Sequence, residues 1–309
     1  MPDRLTHAAP LRQTTRIALL ALAAIALLCL ATGCERRPAE QSVIQLDRLT
    51  RLPEGSSANQ PEALRVAVAA VLSPTGTIES YQPLIAHLHR KTGRPVTLVQ
   101  RKTYQEINDL LARAAVDVGF ICTGAYLDGA RRQTLELLVV PRINGKTTYR
   151  SLIIAPATAS IRTFTDLRGK RFAFTDPLSN SGYHYPLSLL QRLGEKPETF
   201  FDRTFFTHSH DRSIAAVMDG LADGAAVDSL IFEFVSRRTP AIAKQIAIID
   251  QSSEFGIPPV VVPRSLPASR KEWLKALFLA LHKEAEGKTV LAPLGIERFE
   301  EPEPARYAP

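Results

Sequence analysis

Three short stretches of this sequence place polar residues where an apolar run gives way to a helical pattern. The first is Phe172-Ala173-Phe174-Thr175-Asp176-Pro177-Leu178-Ser179-Asn180-Ser181-Gly182-Tyr183. The apolar run reads as a strand, Asp-Pro as a turn, and the small polar residues as the opening of a helix. The first amides of a helix lack internal acceptors and sit at the positive end of its dipole. Ser179, Asn180 and Ser181 add side-chain donors, and Gly182 lets a ligand approach the backbone. The chemistry predicted is an anion cradle that suits phosphate-like oxygens. The same serines also suit plain N-caps.

The second stretch is Thr207-His208-Ser209-His210-Asp211. One reading makes His210 a ligand donor, with Asp211 as the N-cap of the next helix. Another takes His208, His210 and Asp211 as metal ligands of zinc type. The remaining histidines, His7, His87, His89, His184 and His282, build no second motif, so neither metal nor cofactor is expected. The third stretch is Gly224-Ala225-Ala226-Val227-Asp228-Ser229. A carboxylate beside an anion cradle repels a bare anion. It becomes favourable when the ligand brings a donor, either a P–OH or an ammonium group. A phosphate monoester, with a second pKa of about 6, keeps some P–OH near neutrality, and sulfate does not. Asp228 is therefore expected to discriminate between them, and its plainer reading is a cap before Leu230.

These stretches need a scaffold that brings strand ends together. From Leu64 onward, β-rich runs alternate with amphipathic ones: Arg65–Val71, Pro95–Gln100, Val116–Cys122 and Leu135–Pro141 read as strands. Glu79–Lys91 and Tyr104–Ala115 read as helices, the latter with Thr103 as N-cap and Glu106 near N3. A second series follows, with strands at Ser151–Ala155, Arg171–Phe174, Arg203–Thr207, Gly224–Asp228 and Gln245–Asp250. Its helices are expected at Ser181–Leu193, Ser213–Leu221 and Leu230–Arg237, and a last amphipathic helix at Ser269–Glu286. Such alternation predicts an α/β fold with parallel sheets. We expect two doubly wound lobes joined by two crossing segments, near Lys146–Arg150 and Ser236–Pro240. Residues 63–148 and 237–290 would form lobe 1, residues 149–236 lobe 2, and residues 291–309 a C-terminal tail. Ligands bind outside the carboxyl ends of parallel strands, so both lobes can point loops at one molecule.

Composition agrees with a folded, extracytoplasmic chain. With 309 residues, 45% hydrophobic and 22% charged, it is too apolar for disorder and long enough for roughly two domains. The net charge of +7 is scattered, and no Lys/Arg run is interleaved with aromatics, which argues against a nucleic-acid groove. Residues 1–33 carry Arg4, Arg12 and Arg16, then an apolar run from Ile17 to Ala31. That run is shorter than the ~20 residues of a spanning helix and matches a secretory signal. It ends in Leu30-Ala31-Thr32-Gly33-Cys34, which looks like a bacterial lipobox with Ala31 where Leu is commoner. Cys34 is the expected lipid-attachment site, an uncleaved anchor being the alternative. Residues 34–62 read as a flexible tether. Cys29 would leave with the signal and Cys34 would be modified, so Cys122 remains the lone thiol and no internal disulfide is expected.

The set DP-x-S-x-SG, then SHD, then GAAVDS resembles the phosphate/phosphite/phosphonate-binding proteins of ABC importers, within the type II periplasmic solute-binding class. Ser73-Pro74, Tyr104 in K-T-Y-x-E-I and Tyr149 in T-Y-R-S extend the match. The resemblance implies a binding protein, not an enzyme, that closes its lobes on a small phosphorus oxyanion. Ser179, Asn180 and Ser181 would hold the phosphoryl oxygens, and His210 would donate another hydrogen bond. Tyr104 and Tyr149 would close over the ligand, and Asp228 would accept from a P–OH or an amine. Asn180 stands where the family usually has Thr, which bears on the ligand's identity more than on its class. Implied partners are an ABC permease with its ATPase, and the membrane through the lipid. A sensor feeding a membrane receptor is the rival on the same fold. A secreted metal-dependent or serine hydrolase is the rival of another class, and Ser181 lacks the preceding Gly of a nucleophile elbow.

Overall fold

A computed structural model describes residues 62–307 of the chain. The predicted signal segment, Cys34 and all but the last residue of the predicted tether lie outside the described residues. Strand β1 (Leu64–Val68) pairs in parallel with β2 (Val96–Gln100) and β3 (Val118–Phe120). Helices α1 (Pro74–Thr92) and α2 (Tyr104–Ala112) make the crossovers. The Thr103–Glu106 capping box opens α2 as expected. Helix α3 (Thr123–Arg131) leads to β4 (Leu135–Arg142). The chain then crosses through β5 (Thr148–Tyr149) into β6 (Ser151–Pro156), β7 (Arg171–Phe174), α4 (Tyr185–Arg192) and α5 (Pro197–Phe200). Strand β8 (Arg203–Phe206), α6 (His210–Met218), β9 (Gly224–Asp228), α7 (Ser229–Arg238), α8 (Ala241–Gln245) and β10 (Ile246–Gln251) complete that series. The chain returns through β11 (Phe255–Gly256) to β12 (Val260–Pro263), α9 (Ala268–Ala280), α10 (Ala285–Leu291) and β13 (Arg298–Glu300).

The result is a six-stranded sheet, β13-β4-β12-β3-β1-β2, a five-stranded sheet, β10-β6-β9-β7-β8, and a ribbon of β5 with β11 between them. The parallel pairings fall where the sequence placed βαβ units. The sheets are mixed rather than wholly parallel, because β12 and β13 oppose their neighbours in the first and β6 opposes its neighbours in the second. The reason is topological. β6 and β12 each enter a lobe from the crossing side, so they run away from the cleft that the parallel strands run toward.

Three expected boundaries move. The return crossing lies after Gln251, not near Ser236–Pro240, because β10 pairs with β6 and carries Ile246 into the second core. Of the predicted tail 291–309, residues 291–307 pack on the first lobe: β13 joins its sheet, Phe299 is buried in its core, and the Tyr307 hydroxyl donates to the Ile257 carbonyl (2.6 Å). The last amphipathic helix breaks at a short 3-10 turn, Leu281–Lys283, and continues as α10.

Both lobes lock their first parallel strands in one way, at the end away from the cleft. Arg65 donates from its backbone (2.7 Å) and its guanidinium (3.1 Å) to Asp117, just before β3. Arg171 does the same to Asp223, just before β9 (2.9 and 2.8 Å). Such forked pairs set register more than stability. Under the cradle segment, Phe172 stacks on Phe201 (4.5 Å between centroids) and meets Phe174 edge-on (5.1 Å). Aromatic pairs of this kind contribute about 0.5–1.5 kcal/mol each beyond area burial, so the strand presenting the cradle rests on a stiff floor.

Candidate functional site

The cradle is built by a helix that starts badly. The sequence predicts one helix over Ser181–Leu193. Instead Asn180–His184 forms a π-helical turn, closed by the Tyr185 N–H on the Asn180 carbonyl, before α4 begins. Pro186 is the cause. It has no N–H to offer the Gly182 carbonyl, which accepts from the Thr175 N–H instead (3.1 Å). The neighbouring Ser181 carbonyl accepts from the Ser151 hydroxyl (2.6 Å). Both bonds pull the turn against β6 and β7. Gly182 is required here: a Cβ would lie 2.4 Å from Thr175 Oγ1.

The amide crown is narrower than the sequence suggested. Ser179 caps the turn, its hydroxyl accepting from the Gly182 N–H (2.9 Å) and its own N–H donating to the Asp176 carbonyl (2.8 Å). Its hydroxyl proton stays available, since a serine can accept and donate at once. That leaves Asn180 and Ser181 as the first-turn amides without an intrahelical acceptor. The Asn180 side chain donates to the Tyr149 hydroxyl at 3.4 Å, a long contact from lobe 2 to the crossing ribbon. Tyr149 is set there by β5, where it pairs with Phe255 of β11.

His210 is the best determined residue of the group. It is fully buried, and its Nδ1 accepts from the backbone N–H of Asp228 (3.1 Å), with Thr175 Oγ1 also at 3.1 Å. Burial drives its pKa down to about 3, so the ring is neutral. A neutral ring that accepts at Nδ1 carries its proton on Nε2. Among the described residues Nε2 has no partner, and neither have the buried Ser181 Oγ and Tyr104 hydroxyl. Burial holds the Tyr104 and Tyr149 hydroxyls well above their ordinary pKa, so both remain donors. Asp228 is buried and caps α7, accepting from the Leu230 N–H (2.7 Å). Burial outweighs that bond and raises its pKa to about 7, so the carboxyl sits at the midpoint of its titration near neutrality. Its charge reaches Tyr104, Tyr149 and Cys122, and Ser151, whose hydroxyl binds the cradle, is its register partner across β6 and β9. Six of the seven residues expected to bind ligand, Tyr104, Tyr149, Asn180, Ser181, His210 and Asp228, thus lie around one place, and Ser179 braces it.

Other residues around this place went unremarked in the sequence or were given other roles. Asp176, taken as a turn residue, accepts from the Leu178 N–H (2.9 Å) and from the Tyr104 N–H of the other lobe (3.1 Å). Asp211 does not cap α6; Ser209 holds that position, since His208 turns the chain with a φ of 63°. The Asp211 carboxylate instead accepts from the Ser73 N–H of lobe 1 (2.9 and 3.1 Å), and the His210 N–H donates to the Val71 carbonyl (3.0 Å). Of the trio His208, His210 and Asp211, the Asp211 carboxylate and His210 Nδ1 are thus engaged by backbone N–H groups. Cys122 caps α3, and the amides of Gly124 and Asn180 point at its thiol, which burial keeps protonated with a pKa of about 11. Gly124 lets the lobes meet, a Cβ there lying 2.4 Å from the Leu178 carbonyl. An Asp before Pro and a strand-to-helix junction at Cys122 were the available signals. Among the described residues no Lys or Arg is buried, so an anion enclosed here is held by dipoles, hydroxyls and an imidazole N–H.

The family described as "ABC transporter, phosphonate, periplasmic substrate-binding protein" matches residues 66–307. The phosphate-import protein PhnD of Mycolicibacterium smegmatis is 29% identical over 183 residues, 55% of this chain and 57% of that protein; the match thus spans little more than half of that relative's length. The phosphonates-binding periplasmic protein of Escherichia coli is 23% identical over 257 residues, 81% of this chain and 75% of its own. Among solved structures, a binding protein component of an ABC phosphonate transporter from Pseudomonas aeruginosa superposes with a TM-score of 0.75 at 23% identity, covering 81% of this chain and 84% of that one. PhnD1 of Prochlorococcus marinus, in complex with methylphosphonate, gives a TM-score of 0.71 at 19% identity, covering 80% and 95%. These likenesses carry the fold, α/β lobes of the periplasmic-binding-protein type. With a family match over most of its length, this chain belongs to the periplasmic substrate-binding proteins of phosphonate ABC transporters.

Proposed function

We propose that this chain captures a small phosphorus oxyanion between its two lobes and delivers it to an ABC permease. The ligand class is phosphonate, phosphite or phosphate. The observation that carries this reading is made among the described residues: three buried donors without a partner, Tyr104 O–H, Ser181 O–H and His210 Nε2–H, gathered beside Asp228 with no buried cation. The Ser181 amide completes the donor set, and the Ser179 hydroxyl adds to it. Asp228 supplies the one acceptor. One proton shared between it and a phosphoryl oxygen satisfies both groups: ionised Asp228 accepts from P–OH, or protonated Asp228 donates to P–O⁻. The relatives carry names for phosphate import and for phosphonate binding, which supports the class while leaving the choice to Asn180 and its surroundings. The chain is anchored through lipid at Cys34 after removal of residues 1–33, residues 34–62 tether the lobes, and the protein performs no catalysis. Isothermal titration against phosphite, methylphosphonate, 2-aminoethylphosphonate, phosphate and sulfate tests the reading. Binding of a phosphorus oxyanion with a Kd below about 1 mM, and sulfate weaker, is expected. No binding of any phosphorus oxyanion overturns it.

A further inference from the structure

A second space opens from the far side of Asp228. A cavity of about 100 Å³ lies between the cleft ends of the lobe 1 strands and one face of α7. Asp228 forms one end of it, and Leu230, Ile231 and Phe234 line the helix side. Their spacing is that of a single helix face. Ile121 and Ile257 face them from lobe 1. The wall is predominantly apolar. Beyond Phe234 and Arg237 it continues into a second hollow lined by Glu79 and Arg238. A helix rises 1.5 Å per residue, so Asp228 and Phe234 are roughly 9 Å apart along α7.

We propose that this cavity receives an apolar chain of roughly three or four carbons attached to the phosphoryl group. This inference rests on the phosphoryl reading of the site and narrows it. Asp228 belongs to both the cradle and the cavity, so a substituent on phosphorus that passes this residue meets an apolar wall along α7. Phosphate, phosphite and methylphosphonate are too short to use it. An apolar cavity of 150 Å³ takes a benzene ring, so one of about 100 Å³ suits a short chain. An ammonium group carried beyond Asp228 would find no second carboxylate among the cavity's lining side chains and would approach the Arg237 cation. The amine reading of Asp228 is thereby disfavoured for ligands whose ammonium lies beyond that residue. A C–P or a C–O–P linkage presents the same chain, and both belong in the test.

The test is titration calorimetry of the intact protein with methyl-, ethyl-, propyl- and butylphosphonate, with butyl phosphate as the ester arm. Each buried methylene should tighten binding about fourfold, up to the chain that reaches Phe234. Ile231→Trp should abolish that gain and leave methylphosphonate affinity as it was. Ile231→Ala, which enlarges the space, should move the optimum to a longer chain. If methylphosphonate binds and lengthening the chain gives no gain in either series, the inference is overturned while the phosphoryl reading survives. If methylphosphonate and the other phosphorus oxyanions all fail, the phosphoryl reading itself falls.

Discussion

Asp228 and His210 touch each other and are buried with opposite consequences for pH. The Asp228 carboxyl has a pKa of about 7 in the folded protein and about 3.9 in an unfolded chain. Between those values the folded state holds a proton that the unfolded state has released. Its contribution to stability is therefore full below about pH 3.9 and is lost as pH rises through about 7. At about 1.36 kcal/mol per pH unit, the loss over that window is about 4 kcal/mol. His210 runs the other way. Its folded pKa of about 3 lies below the unfolded value of about 6.5, so its contribution is present above about 6.5 and is lost as pH falls. From about pH 4 to 6.5 the two slopes cancel in the wild type. Asp228→Asn keeps a side chain able to cap α7 and removes only the carboxyl titration. Urea unfolding of ligand-free wild type and variant at half-unit steps from pH 4 to 7 is the assay. The wild-type minus variant difference should fall by about 4 kcal/mol across the range. Carboxylates held low by Arg partners, such as Asp223 beside Arg171, titrate alike in both proteins and drop out. Parallel curves, with a difference constant to about 1 kcal/mol, would refute the reasoning.

Sulfate brings no proton, so it needs protonated Asp228; its affinity should fall about tenfold per pH unit above 7, and Asp228→Asn should flatten that dependence in calorimetry. A pH-independent sulfate affinity in the wild type would remove Asp228 from the selection. His210→Ala should weaken methylphosphonate binding by about 10- to 100-fold, the range for a lost hydrogen bond to a charged group, with circular dichroism reporting an intact fold; wild-type affinity would mean that Nε2–H does not reach the ligand. Asp211→Ala removes the carboxylate that receives the Ser73 N–H, so stopped-flow dissociation should quicken by about tenfold or more, and an unchanged off-rate would count against that bond holding the lobes shut.

Where residues act through local pattern, the sequence was legible. Arg171–Phe174 alternates nothing and buries both faces, as a central parallel strand should. Thr103 and Glu106 announced their capping box, and the junction clusters at Ser179, His210 and Asp228 each fell at the end of a strand. What escaped was set by partners far along the chain. Nothing near Asp211 indicates that its acceptor role is toward Ser73, at a separation of 138 residues. The π-turn at Asn180–His184 depends on the Ser151 hydroxyl and the Thr175 N–H donating to the Ser181 and Gly182 carbonyls, the latter left without a helical donor by Pro186. The return crossing was misplaced because the helices α7 and α8 resemble an exit until β10 is seen pairing with β6. The tail was read as loose because β13 is three residues long, too short to show a strand period.

The atoms that close the lobes and the atoms that face the ligand belong to the same few residues. Tyr104 gives its N–H to Asp176 across the cleft and keeps its hydroxyl for the site. His210 gives its N–H to Val71 of the other lobe, accepts from Asp228 at Nδ1, and keeps Nε2–H for the site. Swinging the lobes apart would break both backbone bonds and carry the Tyr104 hydroxyl away from the site, while the His210 ring stays with lobe 2 through Asp228 and Thr175. On the proposed reading, a ligand meeting an open form would find the Ser181 amide of lobe 2 without the Tyr104 hydroxyl, and would gain that donor only on closure. Binding energy realised only in the closed form is what shifts a two-state hinge. Among the described residues no cation is buried, which works in the same direction. A lysine or arginine would attract any anion to the open lobe. On the proposed reading, donors assembled by closure would favour the ligand whose shape and single proton satisfy them together, which would make selection and closure one event.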